Sequence, residues 1–353
     1  MYSQLDEKIR FAIVGSGWRS LYYVRIAEAL PSIFELGPML CRTEEKAEKM
    51  RAEYGIRAVT TEEECLAYRP DFIVAAPSKP AMADVAAKWL KWGIPVLCET
   101  PAFQTSEQAE RLRDLVRKGG RLSVAEQYRL YPEISAVLKV LDMDLIGDPD
   151  YALVSIAHEY HGASLIRAFL KQGRDVPFKV SARTFSFPTV ETLSRYERFS
   201  DGRISLKNRT LASFAFENGK AALYDFDSEQ YRSPIRKNLL KIQGPRGEIQ
   251  GRTVRFLDRD NLPVEETLKI ESRMVSRESD NPNLNRIEEV LNISFRDRTL
   301  YSPPFGPCGL SEDETAMAMV LWQMGGYVRG ICSNPYPLEE AAADILMGQA
   351  LYL

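Results

Sequence analysis

Residues 9–20 read Ile9-Arg10-Phe11-Ala12-Ile13-Val14-Gly15-Ser16-Gly17-Trp18-Arg19-Ser20. A largely apolar run closes on Gly15 and Gly17, and an amphipathic stretch carrying Leu21, Ile26 and Leu30 follows. A buried strand, a tight turn and a helix in this order make the fingerprint of a dinucleotide-binding βα unit. Gly15 permits the turn, and Gly17 lets backbone approach a pyrophosphate at the helix N-terminus. The third position of the fingerprint asks only for a small residue, which Ser20 is. Ser16, Trp18 and Arg19 complete the candidate loop, with Trp18 over the pyrophosphate turn. A βα turn without ligand is the plain alternative.

Working outward, the alternation of short apolar runs with helical patterns continues. Residues 38–41 read as a second strand and 44–54 as a charged helix. A strong strand at 71–76 precedes a helix at 81–92, and a further strand covers 95–98. Thr105 and Gln108 stand at capping-box spacing before a helix that ends at Gly119-Gly120, and 121–125 is the last strand. This pattern predicts a parallel sheet covered by helices. Beyond residue 126 it changes. A helix at 132–141, a strand at 151–157 and a helix at 163–170 give way mostly to strands. Those at 211–216 and 221–226 flank Glu217-Asn218-Gly219-Lys220, a strong hairpin signal. Strands are expected at 241–244 and 253–257, a loop at 271–285, and helices at 311–329 and 338–351. The expected fold is an α/β Rossmann domain over 1–125, followed by an α+β domain over 126–353 built on a largely antiparallel open sheet. The final helix is free to pack back on the first domain.

Bulk properties narrow the function classes. Of 353 residues, 45% are hydrophobic and 27% charged, enough to bury a sizeable core. A formal net charge of -3 argues against a dedicated nucleic-acid binder. No apolar run is long enough to span a bilayer, and residues 1–10 lack a signal-peptide apolar stretch, so no membrane partner is expected. Cys41, Cys65, Cys98, Cys308 and Cys332 are scattered without Cys-x-x-Cys spacing. That suits reduced thiols in a cytoplasm, with neither a zinc site nor a disulfide framework.

The choice of dinucleotide rests on the end of the second strand. An NAD enzyme places a carboxylate about 20 positions beyond the glycines, on the ribose hydroxyls. Here the place reads Leu40-Cys41-Arg42-Thr43. Arg42 suits a 2′-phosphate, to which Thr43 can donate a hydrogen bond. NADP is therefore expected, with NAD possible; the alternative leaves Arg42 a solvated loop residue.

Together these segments resemble the Gfo/Idh/MocA oxidoreductases. The resemblance covers essentially the whole chain and is best over 9–132. Phe72-Ile73-Val74-Ala75-Ala76-Pro77-Ser78 is similar to the family's strand and turn beside the nicotinamide. Val96-Leu97-Cys98-Glu99-Thr100-Pro101 is similar to its Cys-Glu-Lys-Pro segment, and Glu126-Gln127-Tyr128-Arg129-Leu130-Tyr131-Pro132 to its Asn-x-Arg-x-x-Pro crossover. Asn334-Pro335-Tyr336-Pro337-Leu338 resembles the stretch before its last helix. The resemblance implies cofactor contacts at Ala76, Pro77, Glu99 and Thr100, and an open sheet that mediates a homo-oligomer, dimer or tetramer. It also shows two departures. The family's catalytic lysine falls at Thr100, and its Asp-x-x-x-His pair falls at Ala157 and His161, with the preceding glycine-rich loop deleted. Threonine and alanine cannot move a proton near neutral pH.

The chain holds two histidines, both in His158-Glu159-Tyr160-His161. His161 keeps the family's position and is the expected acid–base group, with Tyr160 and His158 as further proton donors and Glu159 to orient one of them. A histidine that only caps backbone is the alternative. The spacing lacks the four-residue step and third ligand of a metal helix, so no metal is expected. Tyr128 and Arg129 are candidate pocket walls; Arg167, Arg232 and Arg236 are candidates for an anionic substrate group. The expected activity is NAD(P)-dependent hydride transfer to or from a small polar carbonyl, imine or sugar-like substrate. Two rivals stand: a dinucleotide-binding sensor or partner subunit without turnover, and NAD-dependent glycosidase-like chemistry.

Overall fold

The computed structural model describes residues 7–194, 196–278 and 284–352. The chain divides into two compact units, Met1–Gln127 with Asp313–Ala342, and Tyr128–Glu312 with Ala343–Leu353.

In the first unit the elements run β1 (Ile9–Val14), α1 (Trp18–Ala29), β2 (Phe34–Leu40), α2 (Glu44–Tyr54), β3 (Ala58–Val59), α3 (Glu62–Tyr68), β4 (Phe72–Ala75), α4 (Met82–Lys91), β5 (Val96–Cys98), α5 (Ser106–Arg117) and β6 (Leu122–Val124). The strands form one parallel sheet in the order β3-β2-β1-β4-β5-β6. β1 is central and buried, and its Phe11 stacks on Phe72 of the neighbouring strand at 6.1 Å. The strand order reverses between β1 and β4, which opens a crevice at their carboxyl ends. Local chemistry sets the helices. Thr43 caps α2 by accepting from the Lys46 backbone N–H at 3.3 Å, and Gly55 ends it with φ +64°. Thr105 likewise accepts from the Gln108 N–H, while the Gln108 side chain accepts from Gln104 at 2.8 Å rather than closing a box on Thr105.

The second unit begins with α6 (Pro132–Leu141), β7 (Tyr151–Ser155) and α7 (Glu159–Phe169). The strands β8 (Phe178–Val190), β9 (Ile204–Phe216), β10 (Ala221–Asp227), β11 (Leu239–Gly244), β12 (Gly247–Gln250), β13 (Thr253–Leu257) and β14 (Pro263–Thr267) follow. With β7 they make an eight-stranded sheet in the order β14-β13-β12-β11-β7-β10-β9-β8, antiparallel except for the β7–β10 pair. The Asn218-Gly219 turn joins β9 to β10, with Gly219 at φ +85°. One face of the sheet buries Val154, Phe214, Tyr224 and Ile242 in a core shared with Leu165, Ile166 and Phe169 of α7. Leu211, Leu223, Leu239 and Leu257 are exposed on the other face.

Two expectations need correction. The stretch 271–285 was read as a loop, but β15 (Lys269–Ser276) pairs with β16 (Arg286–Phe295), which pairs in turn with β17 (Arg298–Tyr301); residues 279–283 lie outside the described residues. β15 lacks apolar alternation because polar cross-strand pairs hold it, Ser272 to Glu288 at 2.5 Å and Arg273 to Glu289 at 2.7 Å. Residues 313–342 were placed in the second domain but belong to the first unit. They comprise most of α8 (Glu312–Val328) and the start of α9 (Leu338–Gln349). Gly325 lets α8 lie against Ile9, and the Val124 N–H donates to the Tyr336 carbonyl at 2.9 Å, so this return segment covers β1 and continues the edge at β6.

Candidate functional site

The turn after β1 is built from glycine for two different reasons. Gly15 has φ +121°, and a Cβ on it would stand 2.3 Å from the Ala76 carbonyl oxygen, so side chains are excluded on both counts. Gly17, the N-cap of α1, has ordinary φ -84° and open space where a Cβ would be. Ser20 is fully buried and its hydroxyl donates back to the Gly15 carbonyl at 3.1 Å, filling the place of a third glycine. α1 has neither a side-chain cap nor an acidic residue in its first turn, whereas α2 and α5 have both. A helix start that no side chain caps, its positive end and an open glycine at the switch-point crevice fit a dinucleotide pyrophosphate. Ser16 flanks the turn half-buried, and Ala76 and Pro77 follow β4 on the other side of the crevice.

The remaining cofactor candidates divide. Trp18 is 37% exposed and packs edge-on against Tyr22 at 5.6 Å. Arg42 is exposed and makes no side-chain hydrogen bond or ion pair among the described residues. Thr43 caps α2 through its oxygen and retains its own hydroxyl hydrogen for a further acceptor. Arg19 and Glu99, by contrast, are taken up internally. Arg19 Nε donates to Glu99 Oε1 at 2.9 Å and its Nη1 to Asp313 at 2.7 Å. Glu99 is buried, and the same oxygen accepts from the Tyr23 hydroxyl at 2.6 Å, while Oε2 accepts from the Thr100 N–H at 3.2 Å. Burial, reinforced by the Glu99 charge, pushes the Tyr23 hydroxyl well above its ordinary pKa and keeps it a donor. The Glu99 carboxylate is thus enclosed by donors of its own unit.

The histidine segment lies in the second unit, where β7 gives way to α7. Two glycines set it. A Cβ on Gly162 would strike the Tyr224 ring at 2.5 Å, and one on Gly348 of α9 would strike the Tyr160 nitrogen at 2.8 Å. Glu159, at φ +40°, donates its N–H to the Tyr224 hydroxyl at 2.9 Å and its carboxylate accepts from Tyr352 at 3.1 Å, so it orients backbone rather than imidazole. His158 is held at both ring nitrogens, Nδ1 2.6 Å from the Tyr231 hydroxyl and Nε2 3.0 Å from the Tyr160 hydroxyl. His161 is only 4% exposed, with the Tyr128 and Tyr160 rings each 4.5 Å away and His158 at 5.0 Å. Tyr128 stacks in turn on Tyr131 at 4.8 Å. A ring of tyrosines around two imidazoles can hold and move protons.

Two substrate candidates acquire structural partners. Arg129 donates to the Ser164 hydroxyl at 2.9 Å and the Ser164 carbonyl at 3.0 Å, pinning the crossover to α7. Arg167 forms an ion pair with Asp344 at 2.6 Å, and both side chains are 3% exposed. Tyr231 and Tyr224 were missed by sequence reasoning, being ordinary aromatics more than sixty residues away; only the structure brings them to His158 and Glu159. Among the described residues no three His, Cys, Asp or Glu side chains gather to hold a metal ion, and no helix is long and apolar enough to cross a membrane.

The family model for the Gfo/Idh/MocA oxidoreductases, an oxidoreductase family with an NAD-binding Rossmann fold, matches residues 9–128. Residues 9–128 are thus similar to the NAD-binding Rossmann domain of the Gfo/Idh/MocA oxidoreductases. Solved structures share the fold along the chain. An oxidoreductase from Agrobacterium radiobacter in complex with NAD+, L-tartaric acid and magnesium is 14% identical, with TM-score 0.65, covering 98% of this chain and 96% of its own. The WlbA dehydrogenase from Bordetella pertussis, in complex with NADH and UDP-GlcNAcA, is 16% identical with TM-score 0.63 and covers 98% and 96%. Biliverdin reductase from Synechocystis, in complex with biliverdin and NADP+, is 15% identical with TM-score 0.58 and covers 97% and 98%. No curated protein matches the sequence significantly.

Proposed function

We propose that this protein is an NADP-preferring oxidoreductase of the Gfo/Idh/MocA type acting on a small polar carbonyl, imine or sugar-like substrate. The observation that carries the reading is the start of α1 at Gly17, with open space at the glycine and no side-chain cap, joined to a turn that tolerates only glycine at position 15. The backbone from Gly15 to Arg19 would hold the pyrophosphate, with Ala76, Pro77 and Thr100 toward the nicotinamide. Bound there, the dinucleotide supplies or accepts the hydride. The related structures contain NAD+, NADH or NADP+, so the choice rests on this chain's Arg42 and Thr43, which offer a charge and a hydroxyl to a 2′-phosphate where a carboxylate would repel it.

The proton that accompanies the hydride is handled by His158, Tyr160 and His161, with Tyr128 walling the cluster. Titration of the purified protein with NADPH and NADH tests the reading. Preferential NADPH binding supports it; a folded, cofactor-free sample that binds neither overturns it. Thr100 and Ala157 favour a second reading, a dinucleotide-binding partner subunit without turnover, which co-purification with an active paralogue would select. The buried free thiols of Cys41, Cys65 and Cys98 suit a cytoplasmic protein, and the exposed leucines of the open sheet suit a dimer or tetramer.

A further inference from the structure

We propose that the loop 232–238 is an oxyanion-binding site, and that the substrate carries a carboxylate or phosphate group held there by Arg232, Arg236 and Lys237. That the anion belongs to a redox substrate rests on the oxidoreductase reading; the site itself does not. Arg232 and Arg236 are half-buried and Lys237 is exposed. Among the described residues no carboxylate pairs with any of the three, and the Arg236 side chain has only the Ile235 carbonyl, at 3.5 Å. The acids of the neighbouring strands are committed elsewhere. Arg209 holds Asp225 at 2.5 Å, and Lys207 holds Glu191 at 2.8 Å and Glu229 at 3.3 Å. Asp227 is buried and accepts from the Glu229 N–H at 2.9 Å. Between the two arginines Ser233 is 4% exposed, and its hydroxyl has no hydrogen-bond partner among the described residues. Donors of this kind are costly to bury unsatisfied, and an oxyanion accepts from guanidinium, ammonium and hydroxyl alike.

The fold holds this loop at the histidine end of the sheet. The loop leaves Tyr231, whose hydroxyl lies 2.6 Å from His158 Nδ1, and enters β11 at Leu239, which pairs with Ser155 at the end of β7. Gln230 Nε2 clamps it there, donating to the Ser155 carbonyl at 3.1 Å and to the Lys237 carbonyl at 3.3 Å. The Arg236 N–H donates to the Ser233 carbonyl at 3.2 Å and closes a turn over Pro234, so Arg232 and Arg236 stand at its two ends. An anionic group on this loop is therefore held at the same end of the sheet as the two imidazoles. Guanidinium does not give up its proton near neutral pH, so the arginines bind and orient while the proton is left to other groups.

Phenylglyoxal modifies guanidinium groups and peptide mass mapping locates each product, so protection reads the site without dinucleotide or turnover. The probes are glycerol, glycerate, glycerol phosphate and inorganic phosphate, brought to equal ionic strength with chloride. At least one oxyanion should slow the modification of Arg232 and Arg236 about 10-fold while glycerol does not, and Arg259, exposed on the turn between β13 and β14, should react unchanged. Protection by glycerate alone marks a carboxylate and by the phosphates alone a phosphate ester; either upholds the site. No protection by any oxyanion, or equal protection of Arg259, overturns it. With a substrate in hand, Arg232→Gln with Arg236→Gln should raise KM about 10- to 100-fold with kcat little changed. Unchanged KM would also overturn the proposal. Should that variant fail to fold, protection in the wild type still decides. Protection in a protein that binds no dinucleotide upholds the oxyanion site and ends the oxidoreductase reading. NADPH binding without protection does the reverse.

Discussion

A Cβ placed on Gly15 would stand 2.3 Å from the carbonyl oxygen of Ala76, across the point where the strand order of the parallel sheet reverses. Gly15 thus welds the glycine turn to the end of β4, while Gly17, two positions on, faces open space. The two glycines should fail differently. Gly15→Ala adds both overlap and a disfavoured φ and should destabilise the first unit by about 2 kcal/mol or more. Gly17→Ala should melt like the wild type yet lose at least about 10-fold in dinucleotide affinity, since its methyl occupies the pyrophosphate's approach. Thermal melts beside a binding titration separate them, and equal behaviour of the two variants would contradict the assignment.

Arg42 should decide the nucleotide. A charge-assisted contact to a 2′-phosphate is worth about 1.5–3 kcal/mol, so Arg42→Ala should weaken NADPH binding by about 10- to 100-fold and leave NADH nearly unchanged. Arg42→Asp should go further and favour NADH through its ribose hydroxyls. Equal loss for both nucleotides would show that Arg42 serves the fold, and no loss for either would leave it a solvated loop residue.

Much of the first unit was legible because its signals are local. Residues 9–14 and 44–54 were bounded to the residue, since Gly15 ends one and Thr43 and Gly55 bracket the other. β3 and α3 were invisible because two and seven residues carry too little periodicity to register. The site was legible only in its glycines and histidines. The closing of Arg19, Tyr23 and Thr100 around Glu99 is not written in any local pattern, and Tyr231 stands 73 residues from its partner His158. Local pattern carries no record of such pairings.

Arg167 and Asp344 should behave as a structural unit, not as a substrate clamp. Both are buried, so Asp344→Ala leaves an uncompensated guanidinium and should cost about 3–5 kcal/mol. The double replacement Arg167→Met with Asp344→Leu removes both charges and should restore most of that loss. A substrate-binding Arg167 would predict the opposite pattern, with Arg167→Met stable and raised only in KM.

The protein should be markedly sensitive to alkali. Burial pushes the Tyr22 hydroxyl and the Cys65 thiol up to about 12, helped by Asp313 in the first case and Glu64 in the second. Burial also raises Tyr23, Tyr224 and Cys98, with Glu99 adding to the shift of Tyr23 and Cys98. In the unfolded chain these groups ionise at their ordinary values, about 8.5 for cysteine and about 10 for tyrosine. Their contribution to stability is therefore fully present below about pH 8.5 and is lost as pH rises toward the folded values, each group costing about 1.4 kcal/mol per pH unit once its unfolded form has ionised. Thermal melts should fall gently from about pH 9 and steeply beyond about pH 10, with tyrosinate absorbance appearing alongside unfolding. Cys65→Ala with Cys98→Ala should flatten the first part of that decline and leave the second. A melting temperature unchanged up to about pH 11 would mean that these groups ionise as easily folded as unfolded, and that the burial around Tyr23 and Glu99 is looser than their 2.6 Å hydrogen bond implies.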